Sequence, residues 1–215
     1  MTKEKQIESN DGTGLLHLSA RFTDAVEYAR EHHTERRKGT KIPYMAHLLG
    51  VAALVMGEAG ESSVEVTEDM VIAALLHDVV EDHGGREQLE RVRAQFGPEV
   101  ARMVEGLSDS LAANSSEKEP WRERKEGYIA RLRKESADVR LISAADKLYN
   151  VRSILEDYRK IGPKVWKRFK RRREEQLWYF NALLEVFHAF EPNRLVEHFE
   201  RVTKELERIS AGEAS

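Results

Sequence analysis

Four residues with metal-binding side chains stand in apolar helical surroundings of this 215-residue chain. His47 begins an apolar segment, the pair His77-Asp78 directly follows the run AALL, and Asp146 lies within ISAADKLYN. Aspartate is rarely buried without a partner, so these positions need a counter-charge or a cation. Two imidazoles and two carboxylates form a mixed nitrogen and oxygen ligand set that suits Mn²⁺, Fe²⁺ or Zn²⁺. The pattern therefore predicts a metal site.

Each of these residues also has a simple structural interpretation. A single histidine at a helix start is more often a satisfied structural residue than a ligand. Asp146 has Arg140 and Lys147 as candidate ion-pair partners, and His77-Asp78 is also consistent with a cap and turn. The combination of all four residues on apolar helices favours a metal site over these separate interpretations.

Helical periodicity extends through almost the whole chain and places these residues on an all-α framework. Thr67 is the predicted N-cap of a helix that runs through HDVVED and stops at Gly84-Gly85. The other predicted helices cover 18–37, 47–59, 86–96, 99–107, 120–134 and 138–160, followed by a basic segment, an aromatic helix and, after Pro192, an amphipathic helix. We expect one compact bundle with a flexible N-terminus (1–17), a core (18–160) that contains a mobile loop (108–119), and a C-terminal helical extension (161–215) packed on that core.

The composition limits the class of protein. Hydrophobic residues make up 40% and charged residues 34% of the chain, as in soluble globular proteins. There is no cysteine, which excludes a disulfide framework or a thiolate metal site and fits a reducing cytoplasm. No apolar run reaches the ~18 residues of a membrane helix, and the first residues lack a signal-peptide pattern. We therefore expect a cytoplasmic protein with no membrane partner.

Charge is distributed unevenly along the chain. Residues 121–173 hold 18 Lys and Arg against 7 Asp and Glu, whereas the segments on either side are acidic. We interpret this as neutralisation between packed helices, and the basic segment 164–173 as a solvated turn before a helix. The alternatives are attraction of a polyphosphate towards the metal and contact with nucleic acid, but no nucleic-acid motif surrounds the segment.

Several motifs resemble those of a known enzyme family. HDVVED (77–82) resembles the HDxVED motif of (p)ppGpp hydrolase domains, and RRKGTKIPYMAH (36–47), QFGPEVARMVEGLSD (95–109) and ADKLYNVRS (145–153) resemble segments around it. Over about residues 20–160 the chain is identified as a member of the HD-domain metal-dependent phosphohydrolase superfamily. It looks closest to RelA/SpoT-type enzymes and small alarmone hydrolases, including the Mesh1-like group. The resemblance implies an HD-domain helical bundle that removes the 3′-pyrophosphate of ppGpp or pppGpp.

The resemblance also implies a metal-assisted mechanism, usually with Mn²⁺, although another divalent metal would fit. The implied metal ligands are His47, His77, Asp78 and Asp146. Glu81 and Asp82 resemble the acidic pair that positions and activates the attacking water. On a continuous helix both would lie one turn after the HD pair, over the ligand face. The alternative is an ordinary acidic turn, which the helix dipole disfavours by ~0.3–1 kcal/mol per charge.

Substrate contacts are implied for a further set of residues. Arg37 and Lys38 resemble the pair that stacks on the guanine base and contacts the nucleotide. Asn150 resembles a nucleotide-contacting asparagine, and Ser153 keeps the hydroxyl of a residue that is often threonine. Three further cations are candidate phosphate partners: Arg124, Lys125 and Lys147.

The segment before Pro43 departs from the family, because it reads KGTKIPY where the family has KDGTPY. This departure affects base recognition rather than hydrolysis. One alternative is a phosphohydrolase for another nucleotide, such as a nucleoside monophosphate or NADPH. Another is an inactive nucleotide-binding protein, against which the intact ligand residues argue. The aromatic C-terminal helices are interpreted as core, with a homodimer surface as the alternative.

Overall fold

The computed structural model describes residues 15–112, 116, 118–190 and 193–213, and within them the fold is all-α, as predicted. The α-helices are α1 Ala20–His32, α2 Met45–Met56, α3 Glu68–Leu76, α4 Val79–Asp82, α5 Gly85–Phe96, α6 Pro98–Leu107, α7 Trp121–Leu132, α8 Ala137–Ile161, α9 Arg173–Phe190 and α10 Arg194–Ser210. Short 3₁₀ helices cover Gly162–Arg168 and Ala211–Glu213. These residues include no strand, but one isolated bridge joins Arg36 to Pro43.

Side-chain caps fix the starts of several helices. Oγ1 of Thr67 accepts a hydrogen bond from the backbone N–H of Met70, so the predicted N-cap of α3 is confirmed. Oδ1 of Asn193 does the same for Val196 at the start of α10. Each cap satisfies a backbone donor that the first turn of a helix leaves unpaired.

The long helix α8 is the structural axis of the bundle. Helices α2, α3, α6, α9 and α10 all pack against it. Its inner face includes Leu148 and Val151, which are fully buried, as are Leu75 and Leu76 on α3. Burial of a leucine side chain stabilises a fold by about 1.5–3 kcal/mol, and α3 packs against α8, so burial of these side chains helps to hold the two helices together. The HD pair and Asp146 are carried by these two buried segments.

The residues after Ile161 pack on the earlier helices. Arg194 donates to the carboxylate of Glu58 and to the carbonyl of Gly57 at the end of α2. Arg159 of α8 pairs with Glu205 of α10 at 2.6 Å. The helices α9 and α10 therefore extend the same bundle.

The structure corrects the predicted continuous helix through HDVVED. Helix α3 ends at Leu76 and α4 begins at Val79, so the HD pair forms a turn between them. The imidazole Nδ1–H of His77 donates to the carbonyl of Ala74 at 2.8 Å. This side-chain bond competes for a carbonyl at the end of the helix and favours the break.

The first helix is also shorter than predicted. It ends at His32, because residues 35–44 fold back on themselves through backbone bonds from Arg37 to Ile42 and from Tyr44 to Glu35. Of the segments predicted to be mobile, residues 1–14, 113–115 and 117 lie outside the described residues, as does Pro192. In the described part of the chain, no helix combines the length and apolar character needed to cross a membrane.

Candidate active site

The four predicted metal ligands converge from three parts of the chain. His47 comes from the first turn of α2, the HD pair from the turn after α3, and Asp146 from the middle of α8. The Nε2 atoms of His47 and His77 lie 3.2 Å apart. Oδ2 of Asp78 is 3.4 and 3.1 Å from these two nitrogens, and Oδ1 of Asp146 is 3.3 and 3.6 Å from them.

This donor set fits a divalent metal ion. Three of the residues form a group whose ligand atoms all lie within 4.8 Å of one another: His47, His77 and Asp78. Asp146 is close to both imidazoles of that group. Because Nδ1 of His77 is held by the Ala74 carbonyl, its Nε2 is left as the metal-binding atom. Two imidazole nitrogens and two carboxylates without sulfur are a suitable set for Mn²⁺, Fe²⁺ or Zn²⁺.

Electrostatics keep the carboxylates of this centre ionised. Burial alone would raise the pKa of Asp146, but Lys147 and the two imidazoles outweigh it, so that pKa lies well below its usual range. Lys147 makes a direct ion pair with Asp146. The pKa of Asp78 is likewise lowered, since His77 and His47 outweigh its burial. An ionised carboxylate is the form that binds a metal.

Tyr44 is a contact of the centre that the sequence did not single out. Its hydroxyl donates a hydrogen bond of 2.6 Å to Oδ2 of Asp78. Burial and the charge of Asp78 raise the pKa of Tyr44, so the hydroxyl stays protonated and remains a donor. The bond orients the carboxylate towards the two imidazoles.

Glu81 and Asp82 line the same cavity of about 210 Å³ as the four predicted ligands. They belong to the separate turn α4, and the backbone N–H of Asp82 bonds the carbonyl of Asp78 at 3.0 Å, so Asp82 still lies one turn after Asp78. Desolvation, with the charges of Asp78 and Glu81, raises the pKa of Asp82 to about 7. A carboxylate with a pKa near neutrality is suited to accept a proton.

Glu81 is held in a network of charges. Lys118 lies 3.3 Å and Arg124 3.5 Å from its carboxylate. Burial, followed by the charge of Asp109, raises its pKa. Asp109, which ends the GLSD phrase, pairs with Arg124 and Lys125. All three candidate phosphate partners are therefore already engaged with carboxylates, since Lys147 pairs with Asp146.

A larger cavity of about 790 Å³ shares a boundary with the first one. All four predicted substrate-contacting residues line it: Arg37, Lys38, Asn150 and Ser153. Arg37 and Asn150 line both cavities, and the guanidinium donates to Oδ1 of Asn150 at 2.7 Å. Ser153 donates its hydroxyl to the carbonyl of Tyr149, within its own helix.

Aromatic and basic side chains complete this larger cavity. The guanidinium of Arg37 lies 5.6 Å from the ring centre of Tyr44 and 5.9 Å from that of Tyr149. The remaining aromatic rings in the wall are Trp121, Phe169, Tyr179 and Phe180. Arg168, from the basic segment interpreted as a solvated turn, also lines the cavity and pairs with Asp157. No local pattern in the sequence marks these contributions, since most come from helices distant along the chain.

Comparisons with known proteins agree with this architecture. A family model described as an HD domain matches residues 25–175. The human guanosine-3′,5′-bis(diphosphate) 3′-pyrophosphohydrolase MESH1 is 35% identical over 150 residues, which are 69% of this chain and 75% of that protein. The Drosophila melanogaster protein of the same name is 37% identical over 138 residues, 63% of this chain and 70% of that protein.

Two solved structures are similar in fold. One is described as a metazoan ortholog of SpoT that hydrolyzes ppGpp; it has a TM-score of 0.67 and 27% identity, and the match covers 88% of this chain and 97% of that one. The other, from Listeria monocytogenes, has a TM-score of 0.62 and 30% identity, with 75% of this chain and 99% of that one covered. The family match and the curated relatives show that the chain belongs to the HD-domain family of metal-dependent hydrolases, in the group that contains MESH1.

Proposed function

We propose that the protein is a metal-dependent hydrolase that removes the 3′-pyrophosphate of guanosine tetra- or pentaphosphate, with GDP or GTP and pyrophosphate as products. One observation carries the proposal: a set of two imidazoles and two carboxylates shares a cavity with the acidic pair Glu81 and Asp82. That cavity adjoins a larger basic and aromatic one. The names of the relatives support this choice of substrate.

The metal of this proposal is Mn²⁺, held by His47, His77, Asp78 and Asp146. A bound divalent metal supplies Lewis-acid chemistry at a phosphoryl group and lowers the pKa of water. The protein contributes the orientation of the ligands, because Ala74 fixes His77 and Tyr44 fixes Asp78. Lys147 is the buried counter-charge that keeps Asp146 ionised, and both imidazoles stay available to the metal.

Asp82 is the proposed proton acceptor, since its raised pKa gives the carboxylate useful basicity near pH 7. Glu81 is the proposed partner that positions the water, since Lys118 and Arg124 fix its carboxylate. Both residues lie on α4, directly after the HD pair. Two of the proposed metal ligands and the proposed proton acceptor would therefore lie on one short segment of chain.

The guanosine and its 5′-phosphates would occupy the larger cavity, and the 3′-pyrophosphate would reach the metal centre in the smaller one. Arg37 offers a planar cation for stacking on a purine, and Lys38 and Asn150 offer polar contacts on the same side. Ser153 contributes its hydroxyl oxygen as an acceptor one helical turn beyond Asn150. The substrate is a free small molecule in this proposal, and the protein acts in the cytoplasm as one domain with 161–215 packed on 18–160.

Release of pyrophosphate from ppGpp tests this function. With Mn²⁺ added, we expect turnover that disappears with EDTA and in Asp78→Ala. Asp24→Ala is a matched control, because Asp24 is an exposed carboxylate on α1. If folded, manganese-loaded protein releases no pyrophosphate, the substrate is wrong, and a panel of nucleoside monophosphates and NADPH separates another nucleotide hydrolase from an inactive binder.

A further inference from the structure

A second cluster of metal-binding side chains lies outside the two cavities. Ligand atoms of His33, Glu35 and His83 all lie within 4.8 Å of one another. Nδ1 of His33 is 2.8 Å from Oε1 of Glu35 and 3.4 Å from Nε2 of His83. None of the three residues lines the candidate active site. They flank the motifs described above but belong to none of the proposed ligand, catalytic or substrate-contacting positions.

The contacts within this cluster leave electron pairs facing one another. Nδ1 of His33 faces both Oε1 of Glu35 and Nε2 of His83. When both imidazoles are neutral, a single proton on Nδ1 or Nε2 can form a hydrogen bond in only one of these two contacts, and the other contact brings two lone pairs together. Desolvation is the main cause that lowers the pKa of His33 and of His83. Neutral imidazoles are also the form that binds metal. A cation between the three atoms would engage all three lone pairs at once.

The distance between the two imidazoles matches that between ligands of a coordination sphere. Ligands bonded to Zn²⁺ at 2.0–2.1 Å in a tetrahedral arrangement lie roughly 3.3 Å apart. The contact of 3.4 Å between the two imidazoles is close to that value, and the contact of 2.8 Å to Glu35 is shorter. The first centre shows the same arrangement, with Nε2 atoms of His47 and His77 facing each other at 3.2 Å.

The cluster combines a rigid ligand with an accessible one. The side chain of His33 is fully buried, and its ring stacks on Tyr44 with centroids 4.9 Å apart and planes inclined by 11°. The side chain of Glu35 is 43% exposed, which gives an ion a path from solvent. Among the described residues, Glu35 forms its ion pair with His33, and no lysine or arginine pairs with its carboxylate.

We propose that His33, Glu35 and His83 bind a second divalent transition-metal ion, with Zn²⁺ as the best match to two imidazoles and one carboxylate. Three protein ligands leave a fourth position for water. The ion would join the segment after α1 to the end of α4, which carry Arg37 and the pair Glu81-Asp82 respectively. Its binding would therefore restrain the two sides of the candidate active site relative to each other.

Native mass spectrometry tests the proposal by counting the Zn²⁺ ions bound to tag-free, chelator-stripped protein. We expect two ions on the unchanged chain, one on Asp78→Ala, one on His83→Ala and none on the double variant. Glu35→Gln keeps the shape and a hydrogen-bond acceptor but loses the charge. This substitution should weaken binding of the second ion by at least about 10–100-fold, which is the loss of affinity that removal of a supporting residue causes at a metal site.

Matched controls separate a lost ligand from a lost fold. His188 is an exposed histidine paired with Glu200, so His188→Ala should still bind two ions. His83→Ala should keep the melting temperature of the unchanged chain in EDTA, since its ring is only partly buried. Equal zinc content in His83→Ala and the unchanged chain would overturn the second site. Equal zinc content in Asp78→Ala would instead contradict the first centre.

Discussion

The side-chain amide of Asn150 donates a hydrogen bond of 2.6 Å to Oδ1 of Asp146. Its oxygen accepts from the guanidinium of Arg37 at 2.7 Å. One amide thus connects a proposed metal ligand with the residue proposed to stack on the base. Asn150 and Asp146 are one helical turn apart on α8, so their relative position is fixed by the backbone.

Replacement of this amide tests the connection. We expect Asn150→Ala to weaken metal binding by about 10–100-fold, because Asp146 loses the donor that orients it. Asn181→Ala is the control, since Asn181 is an exposed asparagine that contacts Glu207 instead. Calorimetric titration with Mn²⁺ measures both variants. Unchanged affinity in Asn150→Ala would mean that Lys147 and the imidazoles orient Asp146 without the amide.

The raised pKa of Asp82 predicts a pH dependence of stability in the metal-free protein. A carboxyl with a pKa of 3.8 in the unfolded chain and about 7 in the folded one destabilises the fold as it ionises. The loss of stability begins above the lower pKa and is complete above the higher one. Asp82→Asn removes it, so the variant should melt at a higher temperature than the unchanged chain at pH 8 and show a smaller gain at pH 5.

Thermal melts in EDTA measure this effect, with Asp24→Asn, on α1 and outside the cavity, as a control of the same charge change. In the presence of Mn²⁺ the same Asp82→Asn substitution should abolish most of the turnover, since the proposed proton acceptor is gone. A gain in melting temperature that is equal at both pH values would contradict the raised pKa.

At Gly50 there is no room for an extra methyl group. A Cβ atom there would lie 2.1 Å from Cε2 of Tyr149, whose ring lines the larger cavity. Gly50→Ala should therefore displace the ring and lower the free energy of unfolding by about 1–3 kcal/mol. Gly127→Ala, on α7, meets no atom nearer than 3.8 Å and should instead stabilise by about 0.5–1 kcal/mol. Urea unfolding compares the two substitutions.

Arg37 and Lys38 should contribute unequally to substrate binding. Arg37 is held by Asn150 and lies near two tyrosine rings, whereas Lys38 is exposed in the loop. Stacking on a base contributes about 1–3 kcal/mol, so Arg37→Ala should raise KM for ppGpp by roughly 5–150-fold. Lys38→Ala should raise it by less. Steady-state kinetics over a range of ppGpp concentrations decide this, and a larger effect of Lys38 would reverse the assignment.

Local patterns in the sequence were sufficient for most of the helices. Periodicity and capping residues act within a few positions, so the N-cap at Thr67 and the long helix around Asp146 followed directly from the chain. The break at the HD pair did not, because it depends on the direction in which the His77 ring turns. A side-chain rotamer of this kind is set by packing against other elements, which a single segment does not encode.

The types of residue at the first centre, and the all-α framework that carries them, follow from the sequence. The surroundings of those residues follow from tertiary packing: the Tyr44 bond to Asp78, the charges that hold Glu81, and Tyr179 in both cavity walls. The cluster of His33 and His83 also depends on it, since these residues are 50 positions apart. Contacts between distant segments arise from the packing of whole helices, and local sequence patterns carry no record of that packing.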